Sequence, residues 1–175
     1  IASIAKQAGR SKKLGELLFR MVQYFQCHSI LEIGTSLGLS TSYLSAANPK
    51  GKIVTIEASE SIAKVASANF KRMGYSNIHL EVGNIDTVLP TLSANTFDFI
   101  FLDGNHRKAP TLRYFTECLS CITDQSILVF DDIHWSKEML EAWEEIKEHK
   151  AITLSIDLFF FGIVFFRKEI KVKQH

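Results

Sequence analysis

The polarity of the chain alternates between two patterns. Short apolar runs bounded by polar or turn-forming residues alternate with longer stretches in which apolar residues recur every three or four positions. The short runs predict buried strands, and the longer stretches predict amphipathic helices. The alternation continues without an internal repeat, a low-complexity stretch or a Pro/Gly-rich linker. This arrangement is typical of a single α/β domain whose parallel sheet is covered by helices on both faces.

The pattern places five strands at 29–33, 52–56, 78–82, 97–102 and 126–130. The predicted helices span 11–26, 40–47, 61–73, 111–121 and 136–147, with a short helix or turn at 87–92. Two β-rich runs, 152–158 and 160–167, then follow with almost nothing between them. They predict an antiparallel hairpin rather than another crossover connection. The basic tail at 168–175 is expected to be frayed.

Composition narrows the class of protein. With 175 residues, 46% of them hydrophobic, the chain is the size of one α/β domain spanning 1–175. A formal net charge of +1 argues against nucleic acid or an anionic membrane as partner and favours a small molecule. The longest apolar run is too short to span a bilayer and no signal-peptide core is evident, so we expect a cytoplasmic protein. Because the chain begins with Ile1, we also expect it to start inside a longer one.

The three cysteines, Cys27, Cys118 and Cys121, are too few for a disulfide-stapled fold. Cys118 and Cys121 form a CxxC sequence within a helical pattern, without a second CxxC or a His pair to complete a zinc site. We expect buried, reduced thiols rather than metal or redox chemistry.

The segment 30–40 is the most distinctive in the chain. A buried strand runs directly into a turn containing Gly34 and Gly38 and then into a helix rich in hydroxyls, which is a geometry suited to a nucleotide-like ligand. Glu32 lies at the end of that strand, where its carboxylate would repel a pyrophosphate. The loop therefore favours a cationic or hydroxyl-bearing ligand and disfavours an NAD-dependent dehydrogenase.

Polar residues follow the other strands as well, and in such a sheet they are expected to gather at the carboxyl edge. Glu57, after the second strand, could accept hydrogen bonds from a ribose diol, or could simply cap the next helix. Asn84, which follows Gly83 after the third strand, could bind an adenine edge or act as a turn residue. Asp103 follows the fourth strand, and Asp131 and Asp132 follow the fifth.

Together these residues resemble the class I S-adenosylmethionine-dependent methyltransferases. The loop Glu32-Ile-Gly-Thr-Ser-Leu-Gly38 is similar to the first motif of that family, and the closing hairpin is similar to its antiparallel strand pair. The segments 86–90, 101–104 and 129–132 look most like small-molecule O-methyltransferases of the catechol and caffeoyl-coenzyme A type. The resemblance implies a Rossmann-like doubly wound sheet with the strand order 3-2-1-4-5-7-6.

The resemblance also implies a cofactor site. Adenosylmethionine carries a sulfonium and an ammonium and no phosphate, which suits a loop that begins with Glu32. Glu32 and Gly34 would approach its methionine part, Glu57 its ribose and Asn84 its adenine, with Asp103 close to the methyl-transfer centre. The full expected set is Glu32, Gly34, Thr35, Ser36, Gly38, Ser40, Glu57, Ala58, Gly83, Asn84 and Asp103.

A metal site is the second implication. In catechol-type enzymes an Asp after the fourth strand and an Asp-Asn pair after the fifth hold Mg²⁺, and Asp103, Asp131 and Asp132 match that pattern except that Asp replaces Asn. Three carboxylates in one place should either bind a hard dication or repel one another, with at least one raised pKa.

Two histidines could take a proton from an acceptor hydroxyl, His106 and His134, although each could instead be a loop histidine bonded to the backbone. The phenylalanines at 159–161, 165 and 166 are expected in the sheet core, or else at a homodimer surface. The leading hypothesis is transfer of a methyl group to an oxygen of a small-molecule acceptor, with or without Mg²⁺. The alternative is a non-catalytic adenosylmethionine-binding module of a larger protein.

Overall fold

A computed structural model describes residues 11–175 of the chain. The chain divides into two compact units, the first ending at Val88 and the second beginning at Leu89. Among the described residues, no helix is both long enough and apolar enough to cross a bilayer.

The first unit alternates helices and strands. Its elements are α1 (Ser11–Tyr24), β1 (Ser29–Ile33), α2 (Leu39–Ala47), β2 (Lys52–Glu57), α3 (Glu60–Met73), β3 (Ile78–Val82) and the short α4 (Ile85–Val88). β1 pairs in parallel with β2, and β2 pairs in parallel with β3. The last four residues of β1 are buried, as expected of a strand covered on both faces. The loop after β1 therefore leaves the sheet from a buried residue, Ile33.

The second unit contains the remaining strands. Its elements are a 3₁₀ turn (Leu89–Leu92), β4 (Phe99–Leu102), α5 (Lys108–Cys118), a second 3₁₀ turn (Leu119–Cys121), β5 (Ile127–Asp131), α6 (Lys137–Glu148), β6 (Leu154–Asp157) and β7 (Phe161–Phe165). β4 and β5 are parallel, whereas β7 runs antiparallel to both β5 and β6. The predicted closing hairpin is therefore confirmed.

The strands form one seven-stranded sheet in the order β3-β2-β1-β4-β5-β7-β6. This mixed α/β architecture confirms the predicted fold class and strand order. Several boundaries differ by two or three residues. α5 begins at Lys108 rather than at 111, because Pro110 lies in the first turn, where a missing N–H costs no helical hydrogen bond.

The C-terminal tail contacts the edge of the sheet near its end. Gln174 lies beside β6 in an isolated parallel bridge with Leu154, while the expectation that the tail frays stays a prediction. The Gln174 amide donates to the Thr153 carbonyl (3.0 Å), and the Ser155 amide donates to the Gln174 carbonyl (2.9 Å). The exposed edge of β6 offers unpaired backbone groups, and the tail satisfies part of that edge.

The phenylalanine cluster divides into two parts. Phe161, Phe165 and Phe166 are buried, as expected for the sheet core, whereas Phe159 and Phe160 are 62% and 42% exposed. The prediction of a core position is therefore wrong for Phe159 and Phe160, because they lie in the turn between β6 and β7. The prediction of buried, reduced cysteines is confirmed: all three are buried and free, and burial strongly raises the pKa of the Cys118 thiol.

Candidate functional site

Glu32 is completely buried, with 0% of its surface exposed, at the end of β1. Its carboxylate accepts three hydroxyl hydrogen bonds. Ser40 donates to Oε1 (2.5 Å), while Thr41 (2.5 Å) and Thr55 (2.6 Å) donate to Oε2. A buried charge is tolerated only when such bonds replace its hydration. The residue expected to approach a ligand is thus also the centre of an internal network that ties β1, α2 and β2 together.

The loop after β1 is tied to the end of β2. The amides of Gly34 (3.0 Å) and Thr35 (3.1 Å) both donate to the Ile56 carbonyl. Gly34, Ser36 and Gly38 have positive φ values of 102°, 50° and 80°, a region that favours glycine and strains serine. A Cβ at Gly38 would lie 2.3 Å from the Phe70 ring, so α3 packing as well as backbone conformation requires glycine there.

Glu57 ends β2 and is held by two backbone amides. Ser36 N–H donates to its Oε2 (2.9 Å), and Ser59 N–H donates to its Oε1 (2.8 Å). A carboxylate offers about four acceptor positions, so these two bonds orient the group and leave it able to accept from two vicinal hydroxyls. Ala58 lies between these contacts and is exposed. The predicted ribose-binding acid is therefore preorganised by the glycine loop.

Gly83 and Asn84 follow β3. The Gly83 amide donates to the Glu57 carbonyl (2.9 Å), which places the two strand ends side by side. Asn84 is exposed, and its Oδ1 accepts from the Asp86 amide (2.9 Å). It therefore serves as a turn residue at the start of α4, the alternative that the sequence left open, while its Nδ2 group remains available as a hydrogen-bond donor.

In the second unit, Asp103, Asp131 and Asp132 form an acidic group whose members interact electrostatically. Burial, followed by the charges of Asp103 and Asp132, raises the pKa of Asp131 to about 8. The Asp131 carboxylate accepts from the Asp132 amide (2.9 Å). Asp132 itself has a φ of 53°, a strained conformation that Asp adopts more readily than most residues.

His106 belongs to this acidic group. Its Nε2 lies 3.4 Å from Oδ1 of Asp103. The hydrogen bond to Asp103 raises the pKa of His106, burial works against it, and the charges of Asp103, Asp132 and Asp131 add to the rise. Of the two predicted proton acceptors, His106 is the one that the structure places beside the acids.

His134 lies in a different environment. Its Nε2 is 2.9 Å from Oδ2 of Asp157, and its ring stacks on Phe159 at 5.0 Å between centroids. Trp143 donates to the same Asp157 oxygen (3.1 Å), and the Phe159 amide donates to Oδ1 (2.8 Å). The observed partner of His134 is a side chain rather than the backbone, and the bond anchors the turn between β6 and β7. Its role as a proton acceptor stays a prediction.

The donor chemistry of the acidic group fits a hard cation. Aspartate oxygens are the ligands that Mg²⁺ prefers, and a bound dication would relieve the repulsion that raises the pKa of Asp131. Within residues 11–175, however, no three His, Cys, Asp or Glu side chains converge closely enough to form a metal site as they stand. The metal therefore stays a prediction.

Two side chains that bond to predicted site residues were missed from sequence. Thr55 lies inside a strand whose apolar pattern gave no sign of a polar role, and Asp157 was read only as part of a β-rich run. The continuous apolar run could have flagged Thr55, because it is the polar residue within 53–56 and all four of these positions are buried.

The comparison with protein families matches the segment that contains the predicted site residues. Residues 31–133 match the family model described as a methyltransferase domain. That match runs from within β1 to the residues just after β5 and includes both Glu57 and the acidic group.

Two curated relatives carry the name catechol O-methyltransferase. The protein from Niastella koreensis is 34% identical over 128 residues, covering 70% of this chain and 57% of its own length. The protein from Mycobacterium tuberculosis is 31% identical over 125 residues, covering 70% of this chain and 56% of its own length. The chain thus spans little more than half the length of the curated relatives it matches.

A solved structure shares the fold. The O-methyltransferase TomG from Streptomyces achromogenes, which is involved in tomaymycin synthesis and was crystallised in complex with SAM, superposes with a TM-score of 0.77 at 23% identity. The match covers 95% of this chain and 90% of TomG. At this identity the likeness supports the Rossmann-like sheet.

Proposed function

The chain belongs to the methyltransferase domain family, and from this membership we infer that it transfers a methyl group from S-adenosylmethionine to an oxygen of a small-molecule acceptor. The catechol O-methyltransferase names of the curated relatives support an oxygen nucleophile and a small acceptor. The SAM bound in the TomG structure supports the choice of methyl donor.

The carboxylate of Glu57 is the observation that carries this proposal. Both of its oxygens are oriented by backbone amides, from Ser36 and from Ser59. An oriented carboxylate at the end of β2 suits a ribose diol. The second carboxylate of the region, Glu32, accepts three hydroxyl hydrogen bonds, which favour its anionic form. An anion there suits the sulfonium and ammonium of the donor and opposes a pyrophosphate. The Asn84 amide is the proposed contact to adenine.

In the second unit, Asp103, Asp131 and Asp132 are the proposed ligands of Mg²⁺. A bound Mg²⁺ would lower the pKa of an acceptor hydroxyl and orient it. Where no metal is bound, the same carboxyl groups can accept hydrogen bonds from the acceptor hydroxyls. The metal is proposed from the donor chemistry alone.

His106 is the proposed proton acceptor. The hydrogen bond to Asp103 raises its pKa above the ordinary histidine value, which makes the neutral imidazole a stronger base. His134 shares its partner Asp157 with Trp143 and with the Phe159 amide, so we assign His134 a structural part at the β6–β7 turn.

The test is calorimetry of S-adenosylmethionine and S-adenosylhomocysteine binding, combined with a turnover assay on catechol. We expect binding by the wild-type chain and a loss of about tenfold or more in affinity for Glu57→Gln, because the neutral amide is a weaker acceptor for the ribose hydroxyls. Glu81→Gln is the matched control, since Glu81 pairs with His79 on β3. It should bind like the wild type.

The outcomes separate the alternatives. Binding together with formation of S-adenosylhomocysteine supports the enzyme. Binding without transfer to catechol or to a broad panel of phenols and hydroxyl acids would favour a non-catalytic module. Titration of Mg²⁺ into the wild type and into Asp131→Asn tests the metal separately. If neither protein gives a heat of binding, the Mg²⁺ proposal is rejected and the methyltransferase proposal is unaffected.

A further inference from the structure

Thr55 occupies an unusual position in the network around Glu32. It lies in β2 with 0% of its surface exposed. Its hydroxyl lies 2.6 Å from Glu32 Oε2 and 2.7 Å from the hydroxyl of Thr35. It thus connects a buried charge on β1 to a residue of the glycine loop.

The direction of these bonds follows from hydroxyl chemistry. An ionised carboxylate only accepts, so Thr55 must donate its single proton to Glu32. The contact between the two threonines must then run from Thr35 to Thr55. The result is a directed chain in which Thr35 donates to Thr55 and Thr55 donates to Glu32. Bonds of this kind polarise one another and resist partial disruption.

The Thr35 end of this hydrogen-bond chain lies next to Ser36, the residue whose amide orients Glu57. Thr35 is fixed twice, by its hydroxyl to Thr55 (2.7 Å) and by its amide to the Ile56 carbonyl (3.1 Å). The next residue, Ser36, has a φ of 50° and points its amide at Glu57 Oε2 (2.9 Å). A serine in this region of φ is strained and persists only where its surroundings hold it. The bonds on Thr35 are the nearest such restraint.

We propose that Thr55 is a positioning residue for nucleoside binding: its bonds to Glu32 and Thr35 hold the loop after β1 in the conformation that orients Glu57. The inference rests on the proposed function, because it assigns Thr55 to the same adenosyl site. It also separates two roles for Glu32, a direct contact to the methionine part of the donor and an indirect action through the loop.

A ligand series distinguishes these roles. S-adenosylhomocysteine contains the amino-acid part, whereas 5′-methylthioadenosine and adenosine lack it, and all three carry the ribose. Thr55→Val removes the hydroxyl and keeps the shape. If Thr55 acts through the loop and Glu57, calorimetry should show the Kd of all three ligands rising by a similar factor, about tenfold. Thr55→Ser, which keeps the hydroxyl, should restore binding to within about threefold of the wild type.

Thr111→Val is the matched control, because Thr111 is also buried but lies on α5, with its hydroxyl against the Met139 sulfur (3.5 Å). It should leave all three affinities unchanged. Thermal denaturation checks that each variant is folded. If Thr55→Val does not fold, Thr35→Val breaks the same bond from the loop side while leaving all three donors of Glu32 in place, and we expect the same uniform loss.

The contrary results are distinct. Affinities of Thr55→Val within twofold of the wild type would overturn the inference and leave the proposed function intact. A loss confined to S-adenosylhomocysteine would also overturn it, since the network would then act on the methionine part. A wild-type chain that binds none of the three ligands would overturn the inference and the proposed function together.

Discussion

The Nε2 atom of His134 lies 2.9 Å from Oδ2 of Asp157. Because an ionised carboxylate can only accept, Nε2 is the donor in this bond. His134 is therefore an anchor for the turn between β6 and β7, where it also stacks on Phe159. His106, whose Nε2 lies 3.4 Å from Oδ1 of Asp103, is the proposed proton acceptor.

Asp157→Asn should lower thermal stability at neutral pH by about 0.5–1 kcal/mol, because the charged acceptor is replaced by a weaker one. Partial burial acts to raise the pKa of Asp157, but hydrogen bonds from His134 and the Phe159 amide outweigh it and lower that pKa. This stabilisation is thus present above the ordinary aspartate pKa and is lost as the pH falls through the lowered value. Circular dichroism melts from pH 7 to pH 3.5 should show a deficit that persists to about pH 4; a deficit that vanishes by pH 6 would contradict the assignment.

Asp131→Asn should stabilise the protein at alkaline pH. The folded-state pKa of Asp131 is raised to about 8, so the folded chain favours the protonated carboxyl and loses stability as the pH rises from the ordinary aspartate value through about 8. The melting temperature of the variant, relative to the wild type, should therefore increase between pH 5 and pH 8.5, by about 4 °C or more at the upper end.

The matched control for Asp131→Asn is Asp124→Asn. Asp124 pairs with Lys168 at 3.2 Å, and the hydrogen bond from Lys168 lowers its pKa, so its removal should give no gain at alkaline pH. Addition of Mg²⁺ at pH 8.5 should raise the melting temperature of the wild type more than that of Asp131→Asn. Equal responses in the two proteins would place any bound Mg²⁺ elsewhere.

The pH dependence of turnover should identify the proton acceptor. A base must be neutral to act, and the hydrogen bond to Asp103 raises the pKa of His106 above its ordinary value. The turnover number with catechol should therefore rise with pH through a point above 6.5. His106→Gln should lower it by about 10² or more and flatten this rise. His134→Gln should keep the rise, and the opposite pattern would reverse the roles of the two histidines.

Gly162→Ala should destabilise the second unit. A Cβ at Gly162 would lie 2.6 Å from the Trp143 ring, and β7 is paired on both sides, so neither the strand nor the buried indole can move away. We expect a loss of about 1–3 kcal/mol in the free energy of unfolding by urea. Gly74→Asn is the control, because a side chain there meets nothing within 4 Å and Asn tolerates a φ of +73°. A smaller loss at Gly162 than at Gly74 would contradict this packing.

The strand order and the approximate extent of each element were predictable from sequence. Apolar periodicity is a local property, and the resemblance of the glycine loop and closing hairpin supplied the order in which the strands lie. Boundaries were less predictable, as at α5, because a proline is equally compatible with the start of a helix and with the loop before it.

By itself the sequence determined which residues are candidates for a ligand site, since Gly34, Glu57 and the acids after β4 and β5 are recognisable by type and spacing. Only the tertiary structure decided what those groups bond to. Three residues, Ser40, Thr41 and Thr55, converge on Glu32 from α2 and β2, and the environments of His106 and His134 differ although their sequence contexts are alike. Hydrogen bonds and desolvation depend on distances between residues far apart in the chain, and those distances exist only once the chain has folded.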